Sequence, residues 1–136
     1  MAGLQTLLKH FMFTIDTNIL IAYVGGEEKV ISQIKEWRNI GVTLFVSSVT
    51  ECEMLSYPKL SFEEEMKIEN FLKDHFVVMP FDSFRAKLAA QVRRKIPSLK
   101  LPDAAIAALA LETNTLLITR NTRDFKKTPG LSLQAI

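Results

Sequence analysis

Short apolar runs alternate with longer segments of helical period along nearly the whole chain. That alternation restricts the fold more than any other feature. The runs are "FMFTI" (11–15), "TLFVS" (43–47), "FVVMPF" (76–81) and "TLLIT" (115–119), with "LSLQAI" (131–136) as a short fifth. Each has the length and residue types of a buried strand. Between them, "EKVISQIKEW" (28–37) places Val30, Ile31, Ile34 and Trp37 on one helical face. Further helices are expected over 19–23, 48–57, 61–74, 83–95 and 102–112, with "GG" at 25–26 and Pro58 as breaks. Ser61 followed by Glu64 is a capping-box pattern. The segment "PDAAIAALALE" opens with Pro and is apolar nearly all round, as a buried helix would be. Strand alternating with helix predicts a three-layer α/β/α sandwich around a central, mainly parallel sheet of four or five strands.

The chain has 136 residues, enough for one domain with a sizeable core. Residues 12–136 are read as that domain. Residues 1–11 are read as an N-terminal extension, with a short helix expected over "LQTLLKHF" (4–11). A net charge of +2 neither demands nor excludes nucleic acid, so local patches must decide. One cysteine, Cys52, rules out an internal disulfide and fits a cytoplasmic setting. No apolar run is long enough to span a membrane, and the first ten residues lack a signal-peptide layout.

Parallel α/β sheets place their sites at the carboxyl ends of strands. Acids collect there: Asp16 after the first strand, Glu51 and Glu53 in the helix after the second, Asp103 at the start of the buried helix, and Asp124 after the fourth strand. Two bare carboxylates 4 Å apart repel by roughly 4 kcal/mol at an effective dielectric near 20. A hard divalent ion such as Mg²⁺ or Mn²⁺ would remove that penalty. No Cys/His set with zinc spacing exists, since His10 and His75 stand apart from the acids.

Four pieces of the sequence, "IDTNILIAY" (15–23), "SSVTECEML" (47–55), "LPDAAIAALAL" (101–111) and "LLITRNTRDF" (116–125), occur in one order. In that order they resemble the PIN-domain family, whose best-known members are the VapC-type toxin ribonucleases. The resemblance runs from Met12 onward. It implies that Asp16, Glu53, Asp103 and Asp124 form a catalytic acidic quartet, with Thr17, Asn18, Thr119 and Asn121 lining the same pocket. It also implies Mg²⁺ or Mn²⁺ as cofactor, with Asp16 and Asp103 touching the ion and Glu53 and Asp124 acting mainly through water. The reaction implied is hydrolysis of RNA phosphodiester bonds. The implied partners are RNA, an antitoxin protein and a second copy of the chain, with no membrane.

Each residue also has a plainer reading. Asp16 or Thr17 could cap the following helix. Thr17 and Asn18 could orient Asp16 or bind a phosphate. Glu51 closes a capping-box pattern from Ser48 and is read as structural, but that cap does not account for Glu53. Asp103 suits a first helical turn, Asp124 a turn and Asp82 a helix cap. Cys52 is read as a small core residue. Two basic clusters flank the acids: Arg93, Arg94, Lys95 and Lys100, and then Arg120, Arg123, Lys126 and Lys127. They could be solvated surface or RNA contacts; Arg93, Arg94, Lys100, Arg120 and Arg123 are the candidates.

The leading function is thus a metal-dependent endoribonuclease, the toxin of a type II toxin–antitoxin pair. The alternatives are a housekeeping RNA-processing nuclease and a non-catalytic RNA-binding module. An aspartyl phosphatase ranks low, because a second acid is expected two residues after Asp16 and Asn18 stands there.

Overall fold

A computed structural model describes residues 11–136. The helix expected over 4–11 lies, apart from Phe11, outside the described residues. The elements are β1 (Met12–Ile15), α1 (Thr17–Val24), α2 (Glu28–Asn39), β2 (Thr43–Ser47), α3 (Ser48–Met54), α4 (Phe62–His75), β3 (Val77–Met79), α5 (Ser83–Lys95), α6 (Leu101–Thr113), β4 (Leu116–Ile118), α7 (Thr122–Phe125) and β5 (Leu133–Gln134). The five strands form one sheet in the order β3-β2-β1-β4-β5, and every pairing is parallel. Among the described residues, no helix is long and apolar enough to cross a membrane.

Helices cover both faces. On one side Phe13, Ile15, Leu44, Val46 and Ile118 of the sheet pack with Ile34 and Trp37 of α2 and Leu72 of α4. On the other side Leu117 packs with Ala89 and Val92 of α5, Ala104, Ala107, Ala108 and Ala110 of α6 and Phe125 of α7. Successive residues of β4 therefore serve opposite cores, as strand geometry requires. Helix α6 is buried from Ala104 to Ala110. Its small side chains let it lie close to the sheet, and Asn114 ends it in the left-handed conformation (φ 53°). Thr14 is the polar residue of the otherwise apolar β1. Its hydroxyl is satisfied by that of Thr115, 2.6 Å away on the neighbouring chain segment.

Several boundaries differ from the sequence reading, each for a local reason. The strand expected over 76–81 stops at Met79. Pro80 has no N–H for the ladder, and the Phe81 N–H turns to Ser48 Oγ (2.8 Å). That bond also corrects the cap of α3. The N-cap is Ser47, whose hydroxyl accepts from the Val49 N–H at 3.1 Å, so Ser48 and Glu51 form no capping box. Helix α3 ends at Met54, not 57, because Tyr57 precedes Pro58 and is steered away from helix. Cys52 is exposed, not a core residue. Helix α1 begins two residues earlier than expected, at Thr17. The segment read as a turn at 122–125 is a single helical turn, anchored by the fully buried Phe125. The capping box of α4 is present in both directions, Glu64 N–H to Ser61 Oγ at 3.1 Å and Ser61 N–H to Glu64 Oε1 at 3.2 Å. Asp82 caps α5 through the Arg85 N–H.

Candidate active site

The chain runs outward from β1 to β2 and β3, then jumps back across β1 to β4 and β5. Strands β1 and β4 therefore flank the point where the direction of winding reverses. At such a point the connections on the two sides diverge and leave a crevice. Ile15 pairs with Ile118 in register, so the next residue of β1 and the next of β4 face each other across that crevice. They are Asp16 and Thr119.

Asp16 is almost fully buried, at 4% exposure. Its Oδ1 accepts the Thr17 N–H at 2.8 Å and its Oδ2 accepts the Thr119 hydroxyl at 2.6 Å. Thr119 Oγ in turn accepts the Asn121 N–H at 2.9 Å. Asp16 is thus both the cap of α1 and the innermost acid. Burial raises its carboxyl pKa to about 6. The negative charges of Asp103 and Glu53 push in the same direction, while the bonds from Thr119 and Thr17 pull back.

Asp103 sits half-buried in the first turn of α6. Its pKa is raised first by burial, then by the charges of Glu53 and Asp124, and Lys100 pulls it down. The charges of Glu53 and Asp124 thus act on Asp103, and those of Asp103 and Glu53 on Asp16, which puts the four acids within electrostatic reach as one group. Glu53 and Asp124 are exposed, so the group opens to solvent on their side. Glu53 Oε1 accepts the Thr17 hydroxyl at 2.8 Å. Thr17 thus reaches Asp16 only through its backbone, and its side chain serves Glu53. Thr50, which no sequence pattern singles out, has its Oγ 2.9 Å from the Thr17 hydroxyl and on its acceptor side.

Among the other pocket-lining candidates, Asn18 accepts from the Arg120 N–H at 3.5 Å, and Asn121 is the half-buried N-cap of α7. Of the five basic candidates, Arg120 is ion-paired at the surface. Its guanidinium makes a two-bond pair with Glu27, and its Nε donates to the Ile136 carbonyl at 3.3 Å. The Arg120 guanidinium is thereby engaged within the chain. Arg93 donates Nε to the Leu99 carbonyl at 3.1 Å. Arg94, Lys100 and Arg123 are exposed, with Lys100 close enough to Asp103 to influence it. His75 closes α4 just before β3, at the opposite edge of the sheet.

All the donors of the acid group are oxygens, as a hard cation requires. Burial and like charge both hinder ionisation of Asp16 and Asp103, and a cation relieves the second directly. Among the described residues, no three acid, histidine or cysteine side chains stand close enough to cage an ion.

A separate apolar cleft of about 600 Å³ lies on the outer side of α1 and α3. It is lined by Ile21, Val24, Met54, Tyr57, Leu60 and Ile68. Ile21, Val24 and Tyr57 are 45%, 53% and 60% exposed, more apolar surface than a folded chain needs to leave in water at one place.

Comparison with known proteins gives the family of the chain. The family model described as PIN domain matches residues 13–131. A relative from Rickettsia felis (strain ATCC VR-1525 / URRWXCal2), Ribonuclease VapC1, is 25% identical over 131 residues, covering 90% of this chain and 94% of the relative. Among solved structures, VapBC2 from Rickettsia felis, bound to a DNA fragment from its promoter, superposes with a TM-score of 0.79 at 20% identity. That match covers 92% of this chain and 98% of the other. A toxin–antitoxin complex from Klebsiella pneumoniae gives a TM-score of 0.72 at 30% identity, over 87% of this chain and 93% of the other. With the family model spanning most of its length, this chain belongs to the PIN domain family.

Proposed function

We propose that this chain is an endoribonuclease that depends on a divalent metal, and the toxin of a type II toxin–antitoxin pair. The observation that carries the reading is the gathering of Asp16, Glu53, Asp103 and Asp124 beside the reversal of the sheet. The similar R. felis protein is a ribonuclease by name, and the K. pneumoniae structure is a toxin–antitoxin complex. The domain is taken as residues 12–136. In this reading Asp16 and Asp103 hold Mg²⁺ or Mn²⁺ directly, and Glu53 and Asp124 hold it through water. When bound, the ion supplies a Lewis acid for a phosphate oxygen and makes a coordinated water more acidic. Thr119 orients Asp16, and Thr17 orients Glu53. Lys100, Arg94 and Arg123 offset phosphate charge near an acidic surface.

The test is incubation with a panel of RNAs in Mg²⁺, Mn²⁺ or EDTA. Cleavage is expected with either ion and not with EDTA. Asp103→Asn is expected to lower the rate by about a hundredfold or more, because it removes a charge that holds the ion. Cleavage that persists in EDTA would end the metal reading. For the basic residues, Arg94→Glu with Arg123→Glu is expected to weaken RNA binding and reduce the salt slope by about two. An unchanged slope would make both residues ordinary surface.

The apolar cleft is assigned to the antitoxin. A partner segment carrying apolar side chains would cover Ile21, Val24 and Tyr57, while α3 presents Glu53 to the acids and Met54 to the cleft. Tyr57→Asp is expected to abolish co-purification with the product of a small neighbouring reading frame and to leave RNA cleavage within about twofold. Co-purification that survives Tyr57→Asp would place that partner elsewhere.

A further inference from the structure

We propose that the hollow at the end of α5, between Arg93 and Arg94, is a phosphate subsite that takes an RNA backbone phosphate beside the linkage that is cut; this rests on the reading of the chain as a ribonuclease. The hollow measures about 440 Å³ and is lined by Ala90, Arg93, Arg94 and Pro97. Ala90 stands three and four residues before the two arginines, so all three share one helical face. Its single methyl leaves open the space that a longer side chain would fill. Pro97, from the loop beyond the helix, brings no N–H of its own. No acid lines the hollow.

Arg85 and Arg120 each fork onto a glutamate, Glu112 and Glu27. Arg93 and Arg94 have no carboxylate partner among the described residues. Arg93 is held all the same, because its Nε donates to the Leu99 carbonyl at 3.1 Å. That bond uses one of the five guanidinium N–H groups and limits the turning of its plane. The two Nη groups have no protein partner among the described residues. They form a fork that matches the paired non-bridging oxygens of a phosphodiester. Cations in the last turn of a helix also answer its dipole, and Lys95 needs no other account. For Arg93 that account is incomplete, since its Nε bond passes the end of α5 and reaches the loop that enters α6. The loop is tight: the Leu99 N–H donates to the Ile96 carbonyl at 3.0 Å, and Lys100 then caps α6. Asp103 follows three residues on, about 4.5 Å along the helix axis, and Lys100 is close enough to act on its carboxyl. A strand with one phosphate at the acid group can therefore lay a neighbouring phosphate on Arg93.

The test uses the full chain and a short RNA that the parent cuts in Mg²⁺. One linkage at a time, the scissile one excepted, is made a neutral methylphosphonate on a deoxy sugar, with the deoxy sugar alone as control. In the parent, neutralising one linkage near the cut is expected to raise KM about tenfold and to leave kcat within about twofold, as the loss of a charged hydrogen-bonded contact implies. Arg93→Gln is expected to raise KM for the unmodified RNA by about the same factor. It should also abolish the effect of that linkage and leave the effects of the others in place. Ala90→Glu puts a carboxylate into the hollow and keeps the Leu99 bond, and it should act in the same way. Neither change touches the core, so both proteins should melt within a few degrees of the parent.

The parent's KM in both variants overturns the proposal, and so does a linkage effect that survives in both. An effect that shrinks equally at every linkage also overturns it, since the arginines would then add only diffuse charge. Should Arg93→Gln not fold, Ala90→Glu carries the comparison. A parent that cuts no RNA in Mg²⁺ or Mn²⁺ ends the ribonuclease reading and this subsite with it. A parent that cuts, with no single linkage that matters, ends the subsite alone.

Discussion

Asp16→Asn is expected to abolish RNA cleavage and, in EDTA at pH 7.5, to melt higher than the parent. The two effects have one source. In the folded chain the Asp16 carboxyl is buried beside Asp103 and Glu53, and its pKa is raised from 3.8 to about 6. Between those values the folded state holds a proton that the unfolded chain has released, so stability falls as pH rises from about 4 to 6. Above pH 6 the whole cost is present, about 3 kcal/mol. Below pH 4 it is absent. Asn keeps the shape and can still accept the Thr17 N–H through its oxygen. Its amide nitrogen faces Thr119 Oγ, which must turn its proton elsewhere, so the net gain is about 1–3 kcal/mol. For a chain of this length that is a rise of roughly 5 °C or more. Melts at pH 4.5, 6 and 7.5 would measure it, and the gap between the proteins should narrow to about a third at the lowest pH. A variant that melts far below the parent at pH 7.5 would show that Asp16 serves chiefly as a cap, and that its charge costs the fold little.

Phe125→Ala is expected to have the largest effect on the fold. The ring is fully buried against the α5–α6 core and is the buried side chain of α7. Truncating a buried Phe removes its transfer energy and leaves a cavity, together about 3–5 kcal/mol. The melting temperature should fall by roughly 10 °C or more. Phe125→Leu, which fills most of the space, should lose less than half of that. Activity adds a second reading. Asp124 precedes Phe125 in a four-residue helix, so an unanchored turn should also reduce cleavage at temperatures where the rest of the domain is folded. Urea unfolding with an unchanged m-value would confirm that the loss is one of stability. A loss below about 1 kcal/mol would mean that neighbouring side chains refill the space.

Much of the architecture could be read from the sequence because it is carried by periodicity. The runs at 11–15, 43–47 and 115–119 and the amphipathic pattern of 28–37 extend over enough residues to define a face. The run "AAIAALA" permits little except a buried helix. The acids stood out because parallel strands send their ends to one edge, and Asp16, Asp103 and Asp124 follow or open elements there. Features decided by one bond were not legible in that way. Ser47 and Ser48 are chemically identical neighbours, and only the β3 edge, by claiming Ser48, leaves Ser47 as the cap. A single helical turn at 122–125 has no period to detect. The pairing of Arg120 was not legible because Glu27 lies 93 positions away in sequence. Thr50 carried no signal except its spacing from Glu53. Its link to Thr17 crosses 33 positions and exists only once β1 and β2 are paired.

The bond from Thr119 to Asp16 joins residues 103 positions apart. A chain emerging from a ribosome shows Asp16 first and Thr119 more than a hundred residues later. Until β4 has been made and has slotted in beside β1, the innermost acid has no partner on its far oxygen. Asp103 and Asp124 have no edge to meet it on. Pairings of such long range slow folding, because loop-closure entropy is lost before the contact forms. Synthesis and activity are thereby separated in time. A chain that ends before β4 carries Asp16, Glu53 and Asp103 but lacks Asp124 and the Thr119 partner of Asp16.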